Sequence, residues 1–351
     1  MRKPVADVRV AAVGCGYWGP NVIRNLSEVR GFDLRWVCDA DPDRLGPVAQ
    51  RYPTARPSTD IDEIFADSSV DAIYLATPVS THYRLVRRAL ESGMHVLVEK
   101  PLATTVDQAE ELAELAATRG LTLLVGHTFV FSPPVRKIKE LIDADTLGPI
   151  YYVETTRVNL GLFQKDVSVL WDLGPHDVSI LMYWLGEVPR QVSARGRSYL
   201  GEALEDVAFL TLEFPSGILA QLQISWLAPS KLRRTSIVGR QRMIVYDDLE
   251  PVEKVKIFDR GVDRQPASFG EFQLTYRSGD ILSPRLDTTE PLKIECQHFL
   301  ECIRTGRTPD ASPRSGVDVV RVMHAAERSL RQGGAPQAVY DAAGVAIERR
   351  P

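Results

Sequence analysis

Between residues 8 and 125, short apolar runs alternate with helical segments, and this alternation restricts the possible fold more than any other feature of the chain. The apolar runs are VRVAAV, FDLRWVC, DAIYLA, HVLVE and LTLLV. Strands separated by helices predict a parallel sheet with helices on both faces. The runs are continuous, as expected for strands that are buried on both sides. We therefore predict an α/β Rossmann domain, a doubly wound parallel sheet, over residues 1–126.

After residue 126 the pattern changes to β-prone runs joined by tight turns. These runs are IYYVETTRV, then EDVAFLTLEFPSGILAQLQISWLA with a turn at Pro-Ser-Gly, then RTSIVGRQRMIVYD with a turn at Gly239. Such runs indicate an antiparallel sheet, and helical patterns return at 291–305 and 316–332. Residues 127–351 are therefore predicted to form an α+β domain with a large, mostly antiparallel sheet, which binds substrate and mediates oligomerisation.

Length and composition exclude several classes of protein. A chain of 351 residues is longer than one core usually supports, so two domains are expected. The formal net charge of -4 provides no positive field for nucleic acid. No apolar run approaches the roughly 20 residues that cross a bilayer. The four cysteines lack C-x-x-C spacing, which fits a reducing compartment. We expect a cytoplasmic protein that binds neither nucleic acid nor membrane.

A glycine motif follows the first apolar run. In GCGYWG, Gly14, Gly16 and Gly19 have the spacing G-x-G-x-x-G between a predicted strand and a predicted helix. In a dinucleotide site these glycines allow a tight turn, close approach of the backbone to pyrophosphate, and close packing of helix on strand. The helix N-terminus also attracts phosphate groups. The motif therefore predicts a bound dinucleotide, and we include Tyr17 and Trp18 among its contacts.

An acid at the end of the second strand bears on which dinucleotide binds. Asp39 lies 20 residues beyond Gly19. A carboxylate at this place can accept hydrogen bonds from the adenine ribose and would repel a 2′-phosphate. The cofactor predicted is therefore NAD, and NADP is not excluded because Arg35 and Arg44 lie close in sequence.

Polar residues follow two further strands of the predicted Rossmann sheet. HVLVE leads to Glu99, Lys100 and Pro101, and DAIYLA leads to Thr77, Pro78 and His82. Ligands of an open α/β sheet bind beyond the carboxyl ends of its strands. Except for Pro101, we predict these residues to contact the cofactor, with Lys100 where nicotinamide and substrate meet. The alternative for Glu99 and Lys100 is a solvated strand end or a local salt bridge.

Five segments together resemble a known family. They are GCGYWG, ATPVSTH, VEKPLA, GHTFVFSPPVRKIKEL and DLGPHDVSIL. In combination they resemble the glucose-fructose oxidoreductase/inositol dehydrogenase/rhizopine catabolism (Gfo/Idh/MocA) family of NAD(P)-dependent oxidoreductases, over nearly the whole chain. The resemblance implies that Lys100, Asp172 and His176 act on a sugar or cyclitol hydroxyl. Residues 271–303 are most similar to the branch that handles nucleotide-linked sugars and sugar antibiotics.

The segment WDLGPHD places Asp172 four residues before His176. A metal site needs three or more ligands, and only these two converge locally, so no metal is predicted. The structural alternative is a polar start to a buried helix, because Pro175 suits the first helical turn. His176 would then lie in that turn, where the helix dipole favours the neutral imidazole that a base requires. Asp172 could fix the tautomer of the ring or hold a substrate hydroxyl.

The predicted chemistry is alcohol oxidation by hydride transfer, or its reverse. His176 takes the hydroxyl proton and Lys100 stabilises the alkoxide. Further substrate contacts are predicted for Arg157 and Asn159 in ETTRVNLGLFQKD, and for His127 in GHTF. An arginine can hold a diphosphate or a carboxylate with two hydrogen bonds. The alternative for Arg157 is a surface arginine on a sheet.

Three functions remain open at this point. The first is an oxidoreductase for a nucleotide-linked sugar or amino sugar, and the second is a myo-inositol or other cyclitol dehydrogenase with the same three residues. The third is a non-catalytic protein that senses NAD; an NAD-using glycosidase on this fold is also conceivable. The apolar alternation in 207–228 leaves one sheet face for another subunit, so a homodimer or homotetramer is expected.

Overall fold

A computed structural model of the chain describes residues 7–161, 163, 167–201, 204–264 and 274–340. The chain divides into two compact units. Unit 1 comprises Met1–Ser132 and Thr289–Val320, and unit 2 comprises Pro133–Thr288 and Arg321–Pro351. The first three residues of the segment 271–303, on which the narrower sugar-nucleotide resemblance rests, lie outside the described residues.

Unit 1 contains a six-stranded parallel sheet in the order β3-β2-β1-β4-β5-β6. Its strands are β1 (Val8–Val13), β2 (Phe32–Cys38), β3 (Arg56–Ser58), β4 (Ala72–Leu75), β5 (His95–Glu99) and β6 (Leu123–Gly126). The helices are α1 (Gly19–Glu28), α2 (Pro42–Arg51), α3 (Ile61–Ala66), α4 (Val79–Glu91) and α5 (Val106–Arg119). This strand order is that of a doubly wound dinucleotide-binding fold, and it confirms the predicted Rossmann class.

Local chemistry explains where helix α5 begins and ends. At the start of α5, the Thr105 hydroxyl accepts a hydrogen bond from the amide of Gln108 at 3.3 Å. At its end, Gly120 adopts a left-handed conformation with φ +64°. These are the usual N-cap and C-cap devices. A short 3₁₀ helix, Thr128–Phe131, follows β6.

Unit 2 contains a nine-stranded sheet in the order β14-β13-β12-β11-β7-β10-β9-β8-β15. Before and after the first of these strands come the helices α6 (Pro133–Asp143) and α7 (Val169–Leu185). The strands are β7 (Ile150–Leu160), β8 (Gln191–Arg197), β9 (Val207–Glu213), β10 (Leu219–Ser225), β11 (Leu227–Gly239), β12 (Met243–Asp247), β13 (Val255–Arg264), β14 (Leu274–Leu282) and β15 (Gln337–Ala338). Among the described strands of this sheet, only β7 and β10 pair in parallel. The predicted large, mostly antiparallel sheet is therefore confirmed.

Two long helices, α8 (Pro291–Thr305) and α9 (Pro313–Arg331), follow β14 and precede β15. Helix α8 packs in unit 1, where Arg24 pairs with Glu290 at 2.7 Å and Phe32 stacks on Phe299. Unit 1 is therefore built from two separate chain segments, whereas the predicted division at residue 126 was a single cut. Among the described helices, none has both the length and the apolar character of a membrane span.

Candidate functional site

The glycine motif forms the turn from β1 to α1, and its three glycines differ in what surrounds them. A Cβ on Gly14, whose φ is +97°, would lie 2.3 Å from the Ala76 carbonyl oxygen. On Gly19 it would lie 2.0 Å from the Gly14 carbonyl oxygen. Protein packing thus explains these two. On Gly16 the nearest atom would be Arg44 Nη1 at 3.6 Å, so this side of the loop is open. An open glycine beside a helix N-terminus fits the close approach of a dinucleotide pyrophosphate.

Asp39 holds the glycine loop in place. Its carboxylate accepts hydrogen bonds from the amide of Cys15 at 2.6 Å and from the amide of Asp41 at 2.9 Å. Arg44 Nη1 lies 3.8 Å from the same group. Each carboxylate oxygen can accept a further hydrogen bond, so the ribose contact remains a prediction for this residue. The buried thiol of Cys15 has its pKa raised to about 12, chiefly by burial and also by Asp39.

Four other residues that were predicted to contact the cofactor lie after β1 and β4 and are accessible to solvent. Tyr17 and Trp18 are 75% and 50% exposed, and their rings meet edge to face. Pro78 is exposed at the start of α4, and Thr77 is half-buried with its hydroxyl 2.7 Å from that of Thr81. These residues are therefore available to a ligand from solvent.

His82 has an internal role, and this corrects the cofactor contact predicted for it. The residue is 1% exposed. Its Nδ1 lies 2.8 Å from the Pro101 carbonyl oxygen and its Nε2 2.9 Å from the Thr77 carbonyl oxygen. Both ring nitrogens are occupied by the chain itself, so none is left for a cofactor. Burial lowers the pKa of His82, although the two carbonyls favour the charged ring. The imidazole joins the segments that follow β4 and β5.

Glu99 turns its carboxylate toward the interior of unit 1. Tyr74, which is 1% exposed, donates its hydroxyl to Glu99 Oε1 at 2.9 Å. Burial raises the pKa of Glu99, while Tyr74 and Lys100 counteract this. Lys100 itself is half-buried at the end of β5. The side chain that precedes Lys100 is therefore fixed by a buried phenol.

His127 follows β6 and is 2% exposed. Burial, together with the charge of Lys100, lowers the pKa of His127 to about 3, so the ring is neutral at physiological pH. Neither ring nitrogen has a hydrogen-bond partner among the described residues. The next residue, Thr128, donates its hydroxyl to Glu295 Oε2 at 3.0 Å. Burial and the neighbouring Glu99 raise the pKa of Glu295 well above its ordinary value.

In unit 2, Asp172 and His176 lie one turn apart on α7, and both are half-buried. The indole of Trp226, which is 2% exposed, donates to Asp172 Oδ2 at 3.0 Å. Trp226 follows β10, so the sheet orients the Asp172 carboxylate.

The start of α7 differs from the prediction. The helix begins at Val169, and Pro175 lies inside it. Its first residues, Val169 and Leu170, are fully buried, and this packing compensates for a proline in the helix interior. The effect of a helix dipole fades beyond the first turn. The dipole argument for a neutral His176 is therefore wrong.

Arg157 is committed to the interior of unit 2, which corrects its predicted contact with substrate. Its Nε donates to Asp177 Oδ2 at 2.8 Å and its Nη2 to Asp177 Oδ1 at 3.0 Å. Burial opposes the charge of the guanidinium, but Asp177 more than offsets it and the pKa of Arg157 is raised. Asn159, two residues further along β7, is half-buried.

Sequence reasoning missed several residues that hold the predicted ones. They are Tyr74, Asp177 and Trp226; a fourth missed residue, Glu295, holds Thr128, which follows the predicted His127. The only local signal was Asp177, an acid directly beside a candidate base in DLGPHD. Within the described ranges, no three histidine, cysteine or acidic side chains are grouped so as to hold a metal ion.

Comparison with known proteins assigns both parts of the chain. A family model described as an oxidoreductase family with an NAD-binding Rossmann fold matches residues 8–127. A second, described as a GFO/IDH/MocA C-terminal domain, matches residues 135–245. Together these matches span more than half of the chain.

Individual proteins agree with these matches. The chain is 29% identical to scyllo-inositol 2-dehydrogenase (NAD(+)) of Bacillus subtilis, over 93% of this chain and 95% of that protein. The structure of GenD2 from gentamicin A biosynthesis, in complex with NAD, has a TM-score of 0.80 at 27% identity and covers 95% and 97% of the two chains. UDP-N-acetylglucosamine 3-dehydrogenase GnnA from Acidithiobacillus ferrooxidans shares the fold, with a TM-score of 0.78 at 23% identity over 94% and 99%. The chain therefore belongs to the Gfo/Idh/MocA family of NAD-binding oxidoreductases.

Proposed function

We propose that the protein is an NAD-dependent dehydrogenase that interconverts a secondary hydroxyl and a ketone on a cyclitol or sugar. The observation that carries the proposal is that the chain has an open glycine loop in unit 1 and, in unit 2, a helical turn that carries Asp172 and His176. The first fits a dinucleotide, and the second offers a base and an oriented carboxylate for a hydroxyl substrate. Bound NAD supplies the acceptor for the hydrogen of the C–H bond.

The roles of the three reacting groups follow from their chemistry. His176 takes the proton of the substrate hydroxyl, which is typically worth about 10²- to 10⁴-fold in rate. Lys100 stabilises the negative charge that develops on the oxygen. Asp172, oriented by Trp226, accepts a hydrogen bond from a neighbouring substrate hydroxyl. In the reverse direction His176 returns the proton.

The preferred substrate is an uncharged or amino-bearing polyol. Arg157 was the residue predicted to bind a diphosphate, and its bidentate pairing with Asp177 removes that argument. The likeness to a scyllo-inositol dehydrogenase and to an NAD-bound protein of gentamicin A biosynthesis supports cyclitols and amino sugars. A nucleotide-linked sugar is the second candidate.

The first experiment is a substrate panel. Purified protein and NAD are incubated with scyllo-inositol, myo-inositol, an aminoglycoside and UDP-N-acetylglucosamine, and NADH is followed by absorbance. We expect NADH with a cyclitol or aminoglycoside. NAD binding without turnover of any compound would favour a sensor. Release of nitrophenol from a nitrophenyl glycoside without net NADH would favour a glycosidase.

The second experiment tests Lys100. Lys100→Met should lower kcat/KM by at least about 10³-fold and leave the NAD dissociation constant within a few-fold, because the methionine keeps the packed stem and removes the charge. Lys139→Met, at another half-buried lysine, which pairs with Asp143 on α6, is the matched control and should retain wild-type turnover. A Lys100→Met enzyme that works at a near normal rate contradicts the proposed chemistry.

The oligomeric state belongs to the same proposal. Tyr152 and Leu219 are cross-strand partners in the sheet of unit 2 and are 46% and 48% exposed. Phe209, 45% exposed, is paired with Gln223 of β10, which lies on the same face as Leu219. We propose that a second copy of the chain covers this face in a homodimer or homotetramer in the cytoplasm. Light scattering should show an oligomer for the wild type and a monomer for Phe209→Glu/Leu219→Glu. A monomeric wild type would contradict the proposed oligomer.

A further inference from the structure

A buried ion pair adjoins the proposed base in the sequence. Asp177 follows His176 on α7, and its carboxylate is held by the fork of Arg157 on β7 at 2.8 and 3.0 Å. The two side chains are 6% and 5% exposed. Thr155, on the same face of β7, donates to the same carboxylate at 3.4 Å and accepts from Thr235 of β11 at 3.0 Å. This network ties α7 to two strands of the sheet.

Helix α7 is weak at the turn that carries the site. Gly174 and Pro175 lie between Asp172 and His176, inside the helix. Pro175 has no N–H to donate to the carbonyl of Trp171, and glycine and proline are the two least favourable residues in a helix interior. Main-chain hydrogen bonds alone therefore hold this turn poorly, and tertiary contacts must fix it.

Two such contacts flank the weak turn. Before it, Trp226 holds the Asp172 carboxylate at 3.0 Å; after it, Arg157 holds Asp177. We propose that the Arg157–Asp177 pair positions the turn of α7 that presents His176, so that both are positioning residues for the reaction. This inference rests on the role of His176 under the proposed function.

The energetics of buried ion pairs favour positioning over simple stabilisation. A buried pair replaced by well-packed apolar residues often leaves the folded state equally stable or more stable, whereas loss of one partner is strongly destabilising. What the bidentate pair adds is a fixed geometry, because two parallel hydrogen bonds define an orientation. A displacement of about 1 Å at a reacting group can lower the rate about 100-fold. The pair is thus suited to holding a catalytic turn in register.

The test compares Arg157→Met/Asp177→Leu, which removes both charges, with Arg157→Lys, which keeps the charge but loses the fork. Hydrogen exchange of the peptide that covers residues 172–180, the melting temperature, the NAD dissociation constant, and kcat and KM on the panel substrate are measured. The double variant should melt near the wild type and bind NAD normally. Its 172–180 peptide should exchange about 10-fold faster, and kcat should fall about 10- to 100-fold. Arg157→Lys should lie between the double variant and the wild type in kcat.

The matched control is Arg9→Met/Asp71→Leu, which removes another bidentate pair, at the amino ends of β1 and β4. It should leave kcat and exchange of 172–180 unchanged. If the double variant at Arg157 and Asp177 is unstable, Arg157→Lys carries the test, because it keeps both charges of the pair and loses only the fork; it should show faster exchange of 172–180 and a lower kcat than the wild type. Wild-type exchange of 172–180 in a folded variant overturns the inference. The two proposals can fail separately, because hydrogen exchange needs no substrate. If His176→Gln did not lower kcat, the proposed role of His176 would be wrong, and hydrogen exchange of 172–180 would still show whether the Arg157–Asp177 pair positions this turn.

Discussion

Alanine at Gly16 should separate cofactor binding from folding. The added Cβ would meet nothing closer than Arg44 Nη1 at 3.6 Å, an ordinary contact, and the backbone there is not left-handed. Folding stability should therefore stay level or rise, by up to about 1 kcal/mol, because alanine restricts the unfolded chain. At Gly14, by contrast, alanine must adopt φ +97° with its Cβ 2.3 Å from the Ala76 carbonyl oxygen. The left-handed conformation alone costs roughly 1–2 kcal/mol, and the steric overlap adds to this.

Thermal melting without cofactor and calorimetric titration with NAD measure the two effects. Because 1 kcal/mol shifts Tm by about 2–4 °C in domains of this size, Gly14→Ala should melt at least several degrees lower. Gly16→Ala should melt within about 2 °C of the wild type. Its NAD affinity should nevertheless fall at least about 10-fold, or about 1.4 kcal/mol, because the methyl occupies the approach of the pyrophosphate. Wild-type NAD affinity in a stable Gly16→Ala protein would refute the assignment of this open side to the cofactor.

Three further substitutions test the site and its surroundings. Trp226→Phe removes the indole donor to Asp172, and hydrogen bonds to charged groups are worth about 1.5–3 kcal/mol. Steady-state assays should therefore show a kcat at least about 10-fold lower, with unchanged NAD affinity. An unchanged kcat would mean that Trp226 does not orient the carboxylate. The pKa of His127 in the folded protein is about 3, below its ordinary 6.5. As the pH falls, the unfolded chain therefore binds a proton at this histidine before the folded protein does. Folding stability is lost between pH 6.5 and pH 3, by about 1.4 kcal/mol per pH unit. Urea denaturation at pH 7.5 and 5.0 should show a loss of stability that is about 2 kcal/mol smaller in His127→Leu than in the wild type, and equal losses in both proteins would contradict this. Gly161→Ala would bring a Cβ within 2.4 Å of Trp226 Cδ1 and should lower both Tm and kcat, whereas Gly46→Ala, with no atom within 4 Å, should lower neither.

The parallel sheet could be predicted from the sequence because its signal is local. The strands β1, β4, β5 and β6 are mainly apolar runs, and α5 has its capping residues beside it in the chain. The short elements β3 and α3 escaped prediction, since three and six residues carry too little pattern. The place of α8 in unit 1 depends on distant contacts such as Arg24 with Glu290, which no local pattern encodes.

The same distinction separates the parts of the site that were predicted from those that were not. Gly14 and Gly19 could be predicted because the local backbone requires glycine: Gly14 has a positive φ, and Gly19 lies against the Gly14 carbonyl oxygen. His82 and Arg157 were assigned to ligands because their real partners, Pro101 and Asp177, lie 19 and 20 residues away. The start of α7 was misplaced because the positional preference of proline was given more weight than the packing of an apolar first turn.

Two buried polar side chains of unit 1, His127 and Glu295, lower its folding stability. Glu295 has one carboxylate oxygen without a hydrogen-bond partner among the described residues, and His127 has two such nitrogens. Leaving a buried polar atom unpaired costs about 1–3 kcal/mol, and apolar side chains of similar size would avoid this. His127 nevertheless follows β6 directly, at the carboxyl ends of the parallel strands, where an open α/β sheet binds its ligands. Glu295 of α8 holds the next residue, Thr128. We therefore expect His127 to serve the proposed chemistry rather than stability, because a buried neutral imidazole adds no fixed charge near the Lys100 amine.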